Sequence, residues 1–246
     1  MRWAFLAAVA FSLSGGGAAP APVPVVVELF TSEGCSSCPP ADSLLSKLAK
    51  EQPVPGVQII PLGMHVTYWD QLGWKDPASL ALATERQQAY GAIWGGDRVY
   101  TPQAVIDGRE ELVGSDESGV RRAIAKAAKL PRARIDVQTS VDGNKLTANA
   151  TIADLPSDAK EPLEAWMVVT EDGLTTIVKR GENGGRTLQH DAVVRAVFGS
   201  DVAAARMLGF HADLRPEWRR DRLKAVVIVQ GKRTHRIYGA ATTALK

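Results

Sequence analysis

From residue 25 onward, apolar and polar positions along the chain follow two alternating periods. Val25-Val26-Val27-Glu28-Leu29-Phe30 is an apolar run of strand length, stopped by the turn-forming Thr31-Ser32-Glu33-Gly34. Leu44, Leu45 and Leu48 then recur at helical spacing and predict a helix over 39–50. Pro53-Val54-Pro55-Gly56 breaks that helix, and Val57-Gln58-Ile59-Ile60-Pro61-Leu62 opens a second strand. A polar-aromatic loop from His65 to Asp76 leads to an Ala- and Leu-rich helix over Pro77–Gln88. Gln103–Ile106 and Glu111–Val113 flank Asp107-Gly108, a hairpin signal. Asp116 or Ser118 can cap a helix that runs through Val120, Ile124 and Ala127 to Leu130.

After Pro131 the period changes to two. Ile135, Val137 and Thr139 alternate with polar residues, as do Leu146, Ala148, Ala150 and Ile152. Leu163–Val169, Leu174–Val178, Ala192–Phe198 and Leu223–Val229 are further strands, with turns at Asp142-Gly143 and Asp172-Gly173. Met207–Asp213 fits a helix or a strand equally well. The first half therefore reads β-α-β-α-β-β-α, the order of the thioredoxin fold. The second reads as a small all-β, sandwich-like domain. The expected boundaries are 24–131 for the thioredoxin-like domain and 132–246 for the all-β domain.

The N-terminus adds an address. Arg2 is the sole charge before Glu28; Trp3–Leu13 is apolar, followed by small residues and the Pro-rich Pro20–Pro24. This pattern predicts a cleaved secretory signal over 1–19, hence a periplasmic or secreted protein with no membrane span after cleavage. A span needs roughly 20 apolar residues, and glycines at 15–17 interrupt this run too early. Removing the signal takes away Arg2 alone and lowers the formal net charge from +2 to +1. So balanced a surface argues against nucleic acid as a partner. The basic cluster Arg215, Arg219, Arg220, Arg222 and Lys224 is interleaved with Glu217 and Asp221 and reads as a salt-bridged surface.

Candidate chemistry lies in the chain's only two cysteines, Cys35 and Cys38, a C-x-x-C between the first strand and the first helix. A helix N-terminus favours thiolate over thiol. Exchange needs an attacking sulfur and a resolving one. Cys35, expected to be the more exposed, takes the first role and Cys38 the second. Ser36 and Ser37 can donate hydroxyls to the attacking sulfur. Pro39 allows two placements: if the helix starts at Cys35, Pro39 sits where the first intrahelical N–H would be donated; with Cys38 as the cap it occupies the first helical position, and Cys35 then stands off the helix. Thr101-Pro102, just before the third strand, marks a cis proline whose loop faces the disulfide and shapes a substrate groove.

His65 falls at the carboxyl end of the second strand, where α/β sheets place ligands. It can tune the thiol or relay a proton, and Tyr68, Trp69 and Trp74 can wall the groove. The same residues can equally be interdomain packing with a structurally bonded histidine. Arg86, Gln87 and Tyr90 can pack against this loop, and their role stays open. No organic cofactor is implied, and no metal: zinc wants four ligands, which one C-x-x-C and four scattered histidines do not supply. A Cu(I) carrier using two thiolates and a histidine stands as an alternative. So does a non-catalytic envelope binding module with a structural disulfide. Gly181-Glu182-Asn183-Gly184-Gly185-Arg186 lacks the Lys-Ser/Thr pair of a phosphate loop and reads as a φ-positive turn. The partner expected from the C-x-x-C is a protein or a small thiol or disulfide.

Several longer segments carry a resemblance. They are Glu28–Asp42, His65-Val66, Tyr68-Trp69-Asp70, Gly73-Trp74, Tyr100-Thr101-Pro102-Gln103, Arg180-Gly181-Glu182-Asn183, and His190 with Val193-Val194-Arg195. In these the chain resembles the bacterial secreted thioredoxin-like family catalogued as domain of unknown function twelve twenty-three. The resemblance implies a thioredoxin-like domain with an all-β appendage and an envelope or secreted location, and it implies no reaction. Thr67 stands where the family pattern has an acidic residue, which speaks against a carboxylate-assisted role for the loop.

Overall fold

The computed structural model describes residues 21–96, 98–202 and 206–245; the signal expected over 1–19 lies outside the described residues. The chain is a mixed α/β protein built on one large sheet. Strand β1 (Val23–Thr31) pairs in parallel with β2 (Val57–His65), from Val23 opposite Val57 to Thr31 opposite His65. Strand β3 (Gln103–Ile106) lies antiparallel on the other side of β1, and β4 (Glu110–Val113) closes that edge. Asp107 and Gly108 both take positive φ, as a two-residue hairpin turn requires. Helices α1 (Pro39–Glu51), α2 (Ala81–Ile93) and α3 (Glu117–Ala127) make the connections, and Asp116 caps α3 by accepting from the Gly119 N–H.

The second helix begins four residues later than its composition predicts. The Asp76 carboxylate accepts from the Ala78 N–H and the His65 carbonyl accepts from the Leu80 N–H, which ties 77–80 to the end of β2. The helix then continues past Gln88 to Ile93, where Trp94, Gly95 and Gly96 end it.

The apolar run of β1 is continuous because both faces of the sheet are covered. Val25, Val27 and Leu29 pack under Leu44, Leu45 and Leu48 of α1 and Val120 and Ile124 of α3. Val26 and Phe30 face the other way, toward Ala83 and Tyr90 of α2.

Beyond residue 132 the described elements are strands and one 3₁₀ turn, Arg220–Arg222. Strands β5 (Arg134–Asp142), β6 (Lys145–Ala153) and β11 (Met207–Asp213) form a separate three-stranded sheet. Met207–Asp213 is thus a strand, and Leu208, Phe210 and Ala212 turn inward at period two. Strands β7 (Leu163–Glu171), β10 (Val193–Asp201), β12 (Leu223–Gly231) and β13 (Ile237–Ala244) extend the first sheet. Its order is β13-β12-β7-β10-β2-β1-β3-β4, joined where Val193 pairs with Gly63. The small sheet covers the far end of the large one through Leu146, Met167, Phe210 and Val227. Strands β8 (Leu174–Ile177) and β9 (Thr187–His190) form a ribbon of their own. Arg219 binds the carbonyls of Asp172 and Gly173, and Lys224 pairs with Asp172 at 2.6 Å, so these members of the basic cluster are paired to neighbouring acids and carbonyls. Among the described residues no helix is long and apolar enough to cross a membrane.

Candidate active site

Cys35 and Cys38 are joined in a disulfide with their Cα atoms 5.4 Å apart. Helix α1 starts at Pro39, so proline fills the first helical position and Cys38 stands at the cap. The Cys38 N–H donates to the Cys35 carbonyl at 3.2 Å, and the Ala41 and Asp42 N–H groups donate to the Cys38 carbonyl. Of the two placements open to Pro39, this is the one that sets Cys35 ahead of the helix and Cys38 on its N-terminus. Ser37 Oγ lies 3.3 Å from Cys35 Sγ. Ser36 contributes its backbone instead, donating to the Glu182 carboxylate at 2.9 Å.

The expectation that Cys35 is exposed does not hold. It is 1% accessible, and Cys38 0%, so both are buried. The loop between β8 and β9 is bonded to the main chain on both sides of Cys35. Asn183, wholly buried, donates from Nδ2 to the carbonyls of Glu33 at 2.8 Å and Cys35 at 2.9 Å. Gly181 and Gly185 have positive φ there, as the turn reading expects.

The Thr101–Pro102 peptide is cis. Phe30 pairs with Gln103, and continuing that register brings Pro102 abreast of Thr31, at the strand end that leads to Cys35. Trp69 spans the two loops: its Nε1 donates to Thr101 Oγ1 at 2.8 Å, and its Cβ would touch a Cβ at Gly34. Gln87 holds the same proline loop from behind, donating to the Tyr100 carbonyl and to Gln103 Oε1 and accepting from Tyr68. Tyr68 stays partly open at the rim. Thr67 turns to Thr84 at 2.9 Å.

A buried polar cluster borders the C-x-x-C. His65 Nδ1 lies 2.7 Å from Asp76 Oδ2, which also accepts from the Glu33 N–H at 2.9 Å. Trp74 Nε1 donates to Glu33 Oε2. Thr31 Oγ1 donates to Asp42 Oδ1 at 2.8 Å. His190 stands between the carboxylates of Glu33 and Asp42, 3.5 and 3.8 Å away, with its ring edge-on to His65 at 4.9 Å. Burial disfavours the His65 cation, but the carboxylates of Asp76, Asp42 and Glu33 outweigh it and raise its pKa to about 9. Burial likewise opposes the Asp76 anion, yet His65 and the N–H groups of Glu33 and Ala78 bring its pKa down to about 2. Burial raises the pKa of Asp42, against the pull of His190 and His65.

His65 is therefore buried and bonded to Asp76, and the loop does supply a carboxylate, from Asp76 rather than from position 67. Asp42 Oδ2 and His190 Nε2 lack hydrogen-bond partners and border a groove of about 260 Å³ between α1 and β9. Among the described residues no cluster of three or more His, Cys, Asp or Glu side chains is arranged to hold a metal ion.

Reasoning from residue types did not pick out Asp42, Glu33 or Asn183 for the site. Asp42 had a signal: a carboxylate on the apolar stripe of α1, four residues after Cys38. Asn183 had none in local pattern, since its partners lie about 150 positions upstream.

A family model described as protein of unknown function (DUF1223) matches residues 26–230. A protein of Agrobacterium tumefaciens solved by X-ray crystallography is 26% identical, with 91% of this chain and 95% of that one covered and a TM-score of 0.67. HBP35 of Porphyromonas gingivalis is 16% identical over 92% of this chain and 76% of that one, with a TM-score of 0.68, a likeness of fold alone. None of the curated proteins matches.

Proposed function

The chain belongs to that family, whose description assigns no reaction, and we propose that it is a thiol–disulfide oxidoreductase of thioredoxin-like fold, periplasmic or secreted. The observation that carries this reading is the Cys35–Cys38 disulfide at the N-terminus of α1, linked through Trp69 to the cis Thr101–Pro102 loop. A partner thiolate attacks one sulfur, the Cys35–Cys38 bond breaks, and a mixed disulfide forms while the other sulfur leaves as thiolate. A second partner thiol then displaces the protein sulfur, so two electrons have entered the pair and the partner holds a new disulfide. Run backwards, the reduced pair reduces a partner disulfide. Cys38, at the helix cap, is well placed to leave as the thiolate, because the helix N-terminus stabilises that charge. An oxidising compartment suits a formed disulfide, in keeping with the signal-like N-terminus.

The burial of Cys35 favours a second reading, an envelope binding module whose disulfide only holds the turn together. Insulin-disulfide reduction by the mature protein with excess dithiothreitol as electron donor, compared with Cys35→Ser, separates the two. The enzyme reading expects a loss of about 100-fold or more in the variant and a trapped mixed disulfide with Cys38→Ser. Equal turnover by wild type and Cys35→Ser would overturn it.

A further inference from the structure

The β8–β9 ribbon is hydrogen-bonded to neither sheet. It leaves the body of the protein at Gly173, where φ is +67°, and rejoins it at Ala192, where φ is +55°. Its outer face is open, with Ile177 67% exposed, while Leu188 and His190 turn inward. The loop at its tip is closed by its own main chain. The Val178 N–H donates to the Arg186 carbonyl at 2.9 Å, the Gly185 N–H to the Val178 carbonyl, and the Gly184 N–H to the Gly181 carbonyl. It is thus a preformed unit on two narrow connections.

That unit is fastened to the disulfide loop by few groups. Both protons of the Asn183 amide are used on the carbonyls of Glu33 and Cys35, and its Oδ1 accepts from Arg186 at 3.0 Å. Glu182 takes the Ser36 N–H. At the base, Gly73 and Gly181 pass so closely that a Cβ on Gly73 would lie 3.3 Å from the Gly181 Cα.

We propose that the 178–186 loop is a gate over the Cys35–Cys38 disulfide, and that Asn183 and Glu182 are the specificity-determining residues that keep small thiols from Cys35. The inference rests on the Cys35–Cys38 pair being an exchange site. On this reading a thiol reaches the 1% accessible Cys35 when these bonds to its main chain are released together, and a small thiol offers no donors or acceptors in a form that replaces them. Each such bond contributes modestly in net terms and costs more when a buried group is left unmatched. The gate therefore opens rarely rather than never.

The test is the rate at which excess dithiothreitol reduces the oxidised mature protein, followed by alkylation and mass. Dithiothreitol supplies both electrons and closes to its cyclic disulfide as Cys35 and Cys38 become thiols. Asn183→Ala is expected to speed reduction by about 10-fold and Glu182→Gln by about 3-fold, with circular dichroism unchanged. Should Asn183→Ala fail to fold, Glu182→Gln, a change of an exposed carboxylate, decides alone. Rates within about twofold of wild type would overturn the gate. An accelerated reduction in the variants with no insulin-reducing activity in any protein would remove the enzyme reading instead. Unchanged reduction rates with intact exchange activity would remove only the gate.

Discussion

Charge is concentrated where accessibility is lowest: Glu33, Asp42, His65, Asp76 and His190 are all buried at the carboxyl ends of β1 and β2. Such a group is stable only while its charges match. His65 has a folded pKa of about 9 against an ordinary 6.5, so its contribution is complete below about pH 6.5 and is lost as pH rises through 9. Asp76 has a folded pKa of about 2 against 3.8, so its contribution is complete above about pH 4 and is lost as pH falls toward 2. The pair stabilises the fold most between roughly pH 4 and 6.5. Asp76→Asn leaves a buried imidazole without its anion and is expected to cost about 3–5 kcal/mol at pH 6. It should also flatten the decline of stability between pH 6.5 and 9. Urea midpoints measured across pH check both points, and a variant with the wild-type alkaline slope would refute the pairing. Glu33, Asp42 and His190 are the other charged or ionisable side chains that surround this pair.

Elements whose chemistry is local were the ones readable from the chain. The Asp107-Gly108 turn, the Asp116 cap and the leucine stripe of α1 depend on neighbours a few residues away, and they form where the pattern puts them. The β9 and β13 strands do not show the same signal. Thr187–His190 is four residues long, and Ile237–Ala244 is dominated by small residues that let the linker approach. A Cβ on Gly239 would lie 2.7 Å from the Ala133 carbonyl. The Asn183 bonds to the Cys35 loop were hidden for the same reason: they join distant segments, and no local period records them. Gly108 combines both kinds of constraint, since its φ is +62° and a Cβ there would collide with the His235 backbone of the β12–β13 turn. Gly143 has a similar φ of +57° and open space around it. Gly143→Ala should therefore cost only the conformational penalty, about 1–2 kcal/mol. Gly108→Ala should cost at least about 2 kcal/mol more, through the clash it adds. Denaturant titration of the two variants ranks them, and equal costs would disprove the close approach.

The sheet binds the two halves of the sequence into one object around the disulfide. Gly63 of β2 donates to the Ala192 carbonyl at 2.8 Å, and the face carrying Val26, Phe30 and Met64 shares its cluster with Val168, Val226 and Ile228. Arg86 on α2, 3% exposed, binds Glu28 on β1 and Gln230 on β12, so one buried cation draws on both halves. A fragment of residues 21–131 would lose Gln230, free the β2 edge from its one pairing with β10 at Gly63 and bare part of an apolar face. Exposed edges of this kind pair with other chains, and the lost face removes burial worth roughly 25 cal/mol per Å². We expect this fragment to be aggregated or non-cooperative in thermal unfolding, whereas the full chain melts in a single transition. Size-exclusion chromatography and calorimetry read both properties. A monomeric fragment with a sharp transition would mean that the N-terminal half owes nothing to the strands that flank it, and that the shared sheet is a contact between independent units.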